Sequence, residues 1–320
     1  MLEQVAYQSK KLAVIIPVYN EGPVLSANLN EIRSAIAEID ITCRYCLIDD
    51  GSTDDTWAKI QKLKAQYSDL SAIRFSRNFG KEAAILAGLE NTEADLYLVM
   101  DSDLQHPPSC VKPMLDLMIE EKADIVSGIK SSRSKESFLY RYCAKRFYRF
   151  LKIMTGLDLD NSSDFKIMNR RVIDALRLFK EKNLFFRGLV SWVGFKTASF
   201  AFTVEQRKRG KTHYSTRKLL QLAQNSTLAY TGKPLYLTMI GGIFFFLIAV
   251  ILAIQTLYNY LSGFSVSGFT TVILLILFTG SLILISLGII GVYLSMIYDE
   301  IKTRPRYTIS EIIGFEAESN

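Results

Sequence analysis

Leu96-Tyr97-Leu98-Val99-Met100-Asp101-Ser102-Asp103-Leu104-Gln105 is an apolar run that stops abruptly in two carboxylates one residue apart. Near-continuous apolar character suits a strand buried on both faces of a parallel sheet, and open α/β folds bind ligands outside the carboxyl ends of such strands. Asp101 and Asp103 are therefore expected to emerge into a crevice. Two anionic side chains so close repel unless a cation separates them. Mg²⁺ or Mn²⁺, held by one or two carboxylates plus substrate phosphates, meets that need. An Asp-x-Asp pair also makes Asx-turns and helix caps, so the pair by itself leaves both readings open.

Upstream, the same pattern recurs. Leu12-Ala13-Val14-Ile15-Ile16-Pro17 reads as a buried strand, and Val18-Tyr19-Asn20-Glu21-Gly22-Pro23 as the loop into a helix, with Pro23 in its first turn. Leu25, Leu29, Ile32, Ile36 and Ile39 then line one helical face. Tyr45-Cys46-Leu47-Ile48 ends in Asp49-Asp50-Gly51-Ser52-Thr53-Asp54-Asp55-Thr56. Gly51 permits a tight turn, Ser52 or Thr53 is expected to cap the next helix, and Asp54 and Asp55 favour its positive end. Asp49 and Asp50 precede that cap, at the edge of the same crevice. Ala72-Ile73-Arg74-Phe75 leads into Ser76-Arg77-Asn78-Phe79-Gly80-Lys81 and a helix through Ala83, Leu86 and Leu89, making Arg77 and Lys81 candidates for phosphate contact.

Downstream, Pro107 and Pro108 open a helix to Glu121, and Ile125 to Gly128 is a further strand. Alternating strands and helices predict an α/β fold on a right-handed βαβ, mostly parallel sheet. No Gly-x-Gly-x-x-Gly or Walker loop is present, which excludes an ordinary dinucleotide or P-loop domain. Between Ser137 and Thr155, Leu139, Cys143, Phe147, Phe150, Leu151 and Met154 face opposite Arg141, Lys145, Arg149 and Lys152. This is a basic amphipathic helix, suited to a membrane interface or to packing on the sheet. Asn161 to Met168 reads as a loop entering a strand, Arg171 to Phe179 as a helix, and Lys196 to Glu205 as another strand. That strand delivers a dense basic loop, Gln206 to Ser215, and a helix from Thr216 to Thr231 follows.

The 320 residues carry a net charge of +6, which suits an anionic membrane surface; no motif points to nucleic acid. From Pro234 to Tyr298 there is no Lys, Arg, Asp or Glu, and the runs Leu235 to Leu257 and Thr270 to Tyr298 are each long enough to span a bilayer. Basic residues flank the pair and are absent between the runs, so the positive-inside rule places both termini in the cytoplasm. The apolar run at Leu12 to Val18 is too short for a signal peptide. Cys43-x-x-Cys46 lacks both a second pair and the helix start of a redox motif, and four cysteines with only His106 and His213 argue against disulfide, redox or zinc chemistry. The expected organisation is a nucleotide-binding half over 1–133, an acceptor-side half with interfacial helices over 134–233, two transmembrane helices over 234–298, and a cytoplasmic tail over 299–320.

Taken in order, Pro17-Val18-Tyr19-Asn20-Glu21, Ile48 to Asp54, Ser76 to Lys81 and Asp101 to Gln105 resemble the motif series of family 2 glycosyltransferases. Ser163-Asp164-Phe165, the Arg207 to Tyr214 loop and the two C-terminal spans are similar to the polyprenyl-phosphate branch of that family, which includes dolichyl-phosphate mannose synthases and bactoprenol glucosyltransferases. The resemblance implies a GT-A fold and an inverting, metal-dependent hexosyltransferase. It would move one sugar, with glucose from UDP-glucose preferred, from a nucleotide sugar to a polyprenyl phosphate such as undecaprenyl phosphate at the cytoplasmic face of a bacterial inner membrane. It implies that Pro17, Tyr19, Asn20, Glu21, Asp49, Asp50, Arg77, Lys81 and Ser102 hold the nucleotide sugar. Asp101, Asp103 and Gln105 would surround Mg²⁺ or Mn²⁺, and Asp164 would stand near the anomeric carbon. Arg133, Arg207, Arg209, Lys211 and Tyr214 would hold the lipid phosphate, and a homo-oligomer is compatible with this arrangement.

Processive synthases of this fold carry Gln-x-x-Arg-Trp, whereas Gln206-Arg207-Lys208-Arg209 is followed by Gly210, which favours single transfer. Rival readings are transfer of another sugar, such as mannose from GDP-mannose, a phosphatase with an aspartyl nucleophile, and a membrane scaffold that keeps a transferase-like domain. The phosphatase normally places its Asp after the first strand, and the intact carboxylate pair speaks against a scaffold.

Overall fold

A computed structural model describes residues 7, 9–130, 162–181, 185–203, 233–263, 268–302 and 304–315. The basic amphipathic segment, the basic loop at 206–215, and the expected lipid-phosphate residues Arg133, Arg207, Arg209, Lys211 and Tyr214 lie outside these residues. The chain divides into two units, 1–214 with 304–320, and 215–303.

The first unit is built on β1 (Lys11–Val18), β2 (Thr42–Asp49), β3 (Leu70–Phe75), β4 (Leu96–Val99), β5 (Ile125–Lys130), β6 (Ser162–Asn169), β7 (Thr197–Phe202) and β8 (Ile309–Ile313). They form one sheet in the order β7-β5-β6-β4-β1-β2-β3-β8. The pairs β1–β2, β1–β4, β2–β3 and β5–β7 are parallel. By contrast, β6 runs antiparallel to both β4 and β5, and β8 antiparallel to β3. The α/β expectation thus holds, with an antiparallel strand inserted beside β4 that alternation alone did not foretell.

Period-two alternation explains the two cores. Along β1, Leu12, Val14 and Ile16 face α1 (Gly22–Ala37), α2 (Thr56–Gln66) and α4 (Val111–Glu120), where they meet Leu25, Leu29, Ile60 and Met114. Ala13 and Ile15 face the other side and pack with Ile48, Val99 and α3 (Lys81–Asn91). There α3 lies so close that a Cβ at Gly88 would stand 2.4 Å from Ile15 Cγ2. The same core takes in α5 (Arg170–Arg177) and α6 (Phe186–Trp192) through Val172, Ile173, Phe186 and Leu189.

The cap before α2 differs from expectation. The helix starts at Thr56, and Asp54 Oδ1 accepts from both the Thr56 N–H (3.0 Å) and its hydroxyl (2.5 Å). Ser52 is instead drawn to the neighbouring loop, where its Oγ accepts from the Asn20 N–H at 2.9 Å.

The second unit contains α7 (Lys233–Leu261) and α8 (Phe269–Ile301). Within them Ile240–Asn259 and Phe278–Ile301 have mean hydropathies of 2.5 and 2.2, and both are candidate membrane spans. Large apolar side chains such as Phe246 and Leu284 are exposed, the arrangement a lipid solvent favours.

Candidate active site

Strand register builds the site. Val99 of β4 pairs with Lys166 of the antiparallel β6, so two residues further along β4 and two residues back along β6 bring Asp101 beside Asp164. Lys81, the first residue of α3, bridges them: its Nζ lies 2.6 Å from Asp101 Oδ1 and 2.7 Å from Asp164 Oδ2. Arg187 of α6 completes the cluster with Nε 2.7 Å from Asp164 Oδ1 and Nη2 3.2 Å from Oδ2, a two-pronged contact. The neighbouring helix ends are tied together as well, because Glu82 accepts from the Phe186 N–H at 2.7 Å.

Charge within this cluster is set by competition. Burial opposes ionisation of Asp164, which is only 4% exposed, but Lys81 and Arg187 outweigh it and hold the carboxyl well below the usual range. Asp101 follows the same logic, with burial overcome mainly by Lys81. The Lys81 ammonium is pulled down by burial yet ends above its usual value because both carboxylates favour the charged form. Beneath Asp164, the buried Lys166 donates to Ser127 Oγ at 2.7 Å, and burial lowers it to about 8.

The loop carrying Asp103 is drawn into a turn. Leu104 takes a left-handed φ of 60°, and both Asp103 oxygens accept from Gln105, from its N–H at 3.1 Å and its amide at 2.9 Å. His106 is positioned rather than exposed: its ring stacks on Phe165 at 4.9 Å, and Nδ1 accepts the Asp101 N–H at 3.2 Å. Ser102 is buried, and its carbonyl accepts from Asn28 at 2.7 Å. Among the described residues no three His, Cys, Asp or Glu side chains gather into a metal cluster. The donor set is nevertheless hard oxygen throughout, and Mg²⁺ or Mn²⁺ characteristically takes one or two carboxylates and completes its shell from phosphates and water. Asp101, Asp103 and the Gln105 carbonyl supply oxygen donors of the kind such an ion takes.

At the carboxyl ends of the neighbouring strands, the loops after β1 and β2 are stitched together. Asn20, at φ 53°, accepts the Thr53 N–H at 2.9 Å, and the Glu21 N–H donates to Thr56 Oγ1 at 3.0 Å. Tyr19 is 45% exposed, while Pro17 is buried in β1 opposite Ile48. Asp49 is fully buried, accepts the Ser52 N–H at 2.9 Å, and has Arg74 Nε at 3.7 Å from its other oxygen. Asp50 reaches the loop after β3 and accepts the N–H groups of Phe79 (2.7 Å) and Gly80 (2.9 Å). Burial raises the pKa of both carboxyls, partly offset by these bonds. Gly51, at φ +68°, lets the two loops touch, since a Cβ there would sit 2.3 Å from the Arg77 carbonyl carbon. Arg77 itself stacks over Phe79 at 4.6 Å.

This geometry gathers Lys81, Asp101 and Asp164 at one point, and joins the 17–21 and 49–54 loops into a second group that reaches the first through the Asp50–Gly80 bond next to Lys81. Arg187, Glu82, Lys166 and His106 were not singled out as site residues from sequence. Arg187 carried a usable signal, a lone charge in the apolar run Phe185-Phe186-Arg187-Gly188-Leu189-Val190.

Residues 13–177 match the Glycosyl transferase family 2 profile. The chain belongs to that family. Among its relatives, CsbB of Bacillus subtilis (strain 168), a glycosyltransferase by name, is 36% identical over 94% of this chain and 91% of its own length. The bactoprenol glucosyl transferase of Shigella phage SfII is 32% identical over 94% of this chain and 98% of its own. Among solved structures, glucosyl-3-phosphoglycerate synthase from Mycobacterium tuberculosis with Mn²⁺, UDP and phosphoglyceric acid overlays with a TM-score of 0.48 at 16% identity, covering 71% of this chain and 79% of that one. This family 2 glycosyltransferase carries a mixed, mostly parallel α/β sheet and two apolar helices that are candidate membrane spans.

Proposed function

We propose that this glycosyltransferase moves a single sugar, with glucose from UDP-glucose as the preferred donor, to a polyprenyl phosphate such as undecaprenyl phosphate, with inversion. The observation that carries the reading is the buried Asp164 carboxylate held between Lys81 and Arg187 and beside Asp101. Relatives named for bactoprenol glucosyl transfer, matched over nearly their full length, support the choice of acceptor and sugar. The uncharged stretch from Pro234 to Tyr298 supports a membrane-borne acceptor, with catalytic unit and termini on the cytoplasmic side.

The acceptor, a phosphate monoester with a second pKa of about 6, is already largely dianionic at neutral pH and needs no strong base. Its oxygen attacks the anomeric carbon as the bond to the nucleotide diphosphate breaks, and the electron pair leaves with the diphosphate. Asp164, kept ionised, faces the positive charge that grows on the anomeric carbon; it orients and stabilises rather than removing a proton. Lys81 and Arg187 supply fixed positive charge to the phosphates on either side of the transferred sugar. Tyr19, Asn20, Glu21 and Asp50 line the nucleotide side. Bound Mg²⁺ or Mn²⁺, held by Asp101, Asp103 and Gln105, would supply Lewis-acid stabilisation of the departing diphosphate. Arg133, Arg207, Arg209, Lys211 and Tyr214 are the sequence candidates for gripping the lipid phosphate.

The test offers membranes containing the protein a panel of labelled nucleotide sugars with undecaprenyl phosphate. A lipid-extractable, mild-acid-labile sugar phosphate formed from UDP-glucose supports the reading. The same product formed only from GDP-mannose replaces the sugar but keeps the acceptor, and water-soluble sugar alone contradicts the acceptor.

A further inference from the structure

The chain does not finish at the second long helix. Residues 304–315 return to the sheet, and their contacts converge on β3, the loop that follows it and the last turn of α3. β8 covers β3 in the register Ala72↔Ile313, Ile73↔Ile312, Arg74↔Glu311 and Phe75↔Ile309. Covering an exposed edge would by itself account for backbone pairing. It does not account for where the side chains go.

Glu311 accepts from Trp57 Nε1 at 3.0 Å and from Arg74 Nη1 at 2.9 Å, and Arg74 in turn faces the buried Asp49. Tyr307 stacks on Phe75 with centroids 4.9 Å apart at 15°, and Phe75 meets the edge of Phe79 at 5.7 Å. The Thr308 carbonyl accepts the Ser76 N–H at 2.9 Å, at the start of the loop whose far end, Phe79 and Gly80, is bonded to Asp50. The segment also grips the opposite end of α3. Tyr307 donates to Glu90 at 2.6 Å and accepts from Asn91 at 3.2 Å, while Arg306 pairs with Glu90 at 3.0 Å and donates to the Phe179 carbonyl. Since α3 begins at Lys81, the helix that presents this cation is held at its last turn, and its entry loop is held at its first residue.

We propose that residues 304–315 are a positioning strap for the donor side of the site, with Tyr307 setting the 76–80 loop and Lys81, and Glu311 setting Arg74 against Asp49. The assignment of that side to the nucleotide sugar rests on the function proposed above. Neither residue touches the reacting atoms; both act through the groups they hold.

The test uses the full-length protein in membranes or detergent and compares Tyr307→Ala, Tyr307→Phe and Glu311→Gln with the parent. Y307A is expected to raise the donor KM about two- to tenfold, the range lost with one stacked aromatic pair, while the KM for the lipid acceptor stays put. Y307F keeps the stack and should restore most of the donor KM, and E311Q should show a smaller rise of the same kind. In parallel, amide hydrogen exchange in peptides spanning 76–81 should quicken in Y307A while exchange at 102–105 is unchanged. A thermal shift with unaltered donor KM and unaltered exchange at 76–81 would show that the strap only covers the sheet edge, and would overturn the proposal. If the parent protein transfers no sugar, the functional reading fails, and the exchange experiment still decides for or against the strap.

Discussion

Asp50 and Asp164 are both nearly buried carboxylates at strand ends, yet they are neutralised in opposite ways. Asp50 is satisfied by backbone N–H groups of Phe79 and Gly80, whereas Asp164 is satisfied by the side-chain cations of Lys81 and Arg187. Burial prevails at Asp50 and raises its pKa; at Asp164 the cations prevail and lower it. A carboxylate held by amides braces a loop and cannot be released without moving the backbone. One held by side-chain cations keeps a charge arrangement that incoming phosphates can share. In the function proposed above, the first region shapes the site and the second performs its chemistry.

The comparison can be broken by substitution. Asp164→Ala should lower kcat about 10²–10³-fold, the range for removing one preorganised charge from an active site, and initial rates of lipid glycosylation measure it. A variant retaining more than half of the parent kcat would remove Asp164 from the chemistry. Next in size, Lys81→Met leaves Asp101 and Asp164 facing each other without their shared cation and should lower the rate about 10-fold to 100-fold. An unchanged rate would make the bridge merely structural. In the bracing region the effect should fall on stability. Gly51→Ala forces a Cβ into the Arg77 backbone at a positive φ and should cost about 2–4 kcal/mol, read from a denaturation midpoint.

The smallest effect concerns Glu82. Burial raises its carboxyl to about 7, with Asp164 adding and the Phe186 N–H, Arg187 and Lys81 opposing. A carboxyl that holds its proton more tightly when folded stabilises most below the unfolded value near 4.5, and that contribution is lost as pH rises to about 7. Glu82→Gln can keep the bond from Phe186 without titrating. Thermal melts between pH 5 and 8 should therefore decline less steeply for E82Q than for the parent. Parallel curves would remove this residue from the pH response.

Much of the fold was legible because β1 to β4 are apolar on both faces and each is followed by a helix with turn chemistry that names its start. Asp101 and Asp103 were visible for that reason, and so were the loops at 17–21 and 49–54. Their partners were not. Asp164 was named through the family resemblance, but its place beside Asp101 comes from the antiparallel register of β6, and register between strands more than sixty residues apart leaves no local pattern. Lys81 was legible as a cation near the crevice, but its position between two carboxylates depends on where α3 packs. Ser52 does not cap because the helix begins only at Thr56, whose N–H is held by Asp54, while the Ser52 hydroxyl accepts from the Asn20 N–H. Strand β8 was missed altogether: Ile309-Ser310-Glu311-Ile312-Ile313 is a short segment beyond two long apolar helices, and only the β3 edge makes it a strand.

The most direct test follows label from a nucleotide sugar into lipid, comparing the parent protein with Asp164→Asn in matched membranes containing undecaprenyl phosphate and a divalent cation. The account predicts that the parent yields a lipid-linked sugar phosphate of inverted anomeric configuration, whereas D164N, present at the same level and folded, yields about a hundredth as much or less. Equal product from both proteins, or a product that retains the donor's configuration, would contradict it.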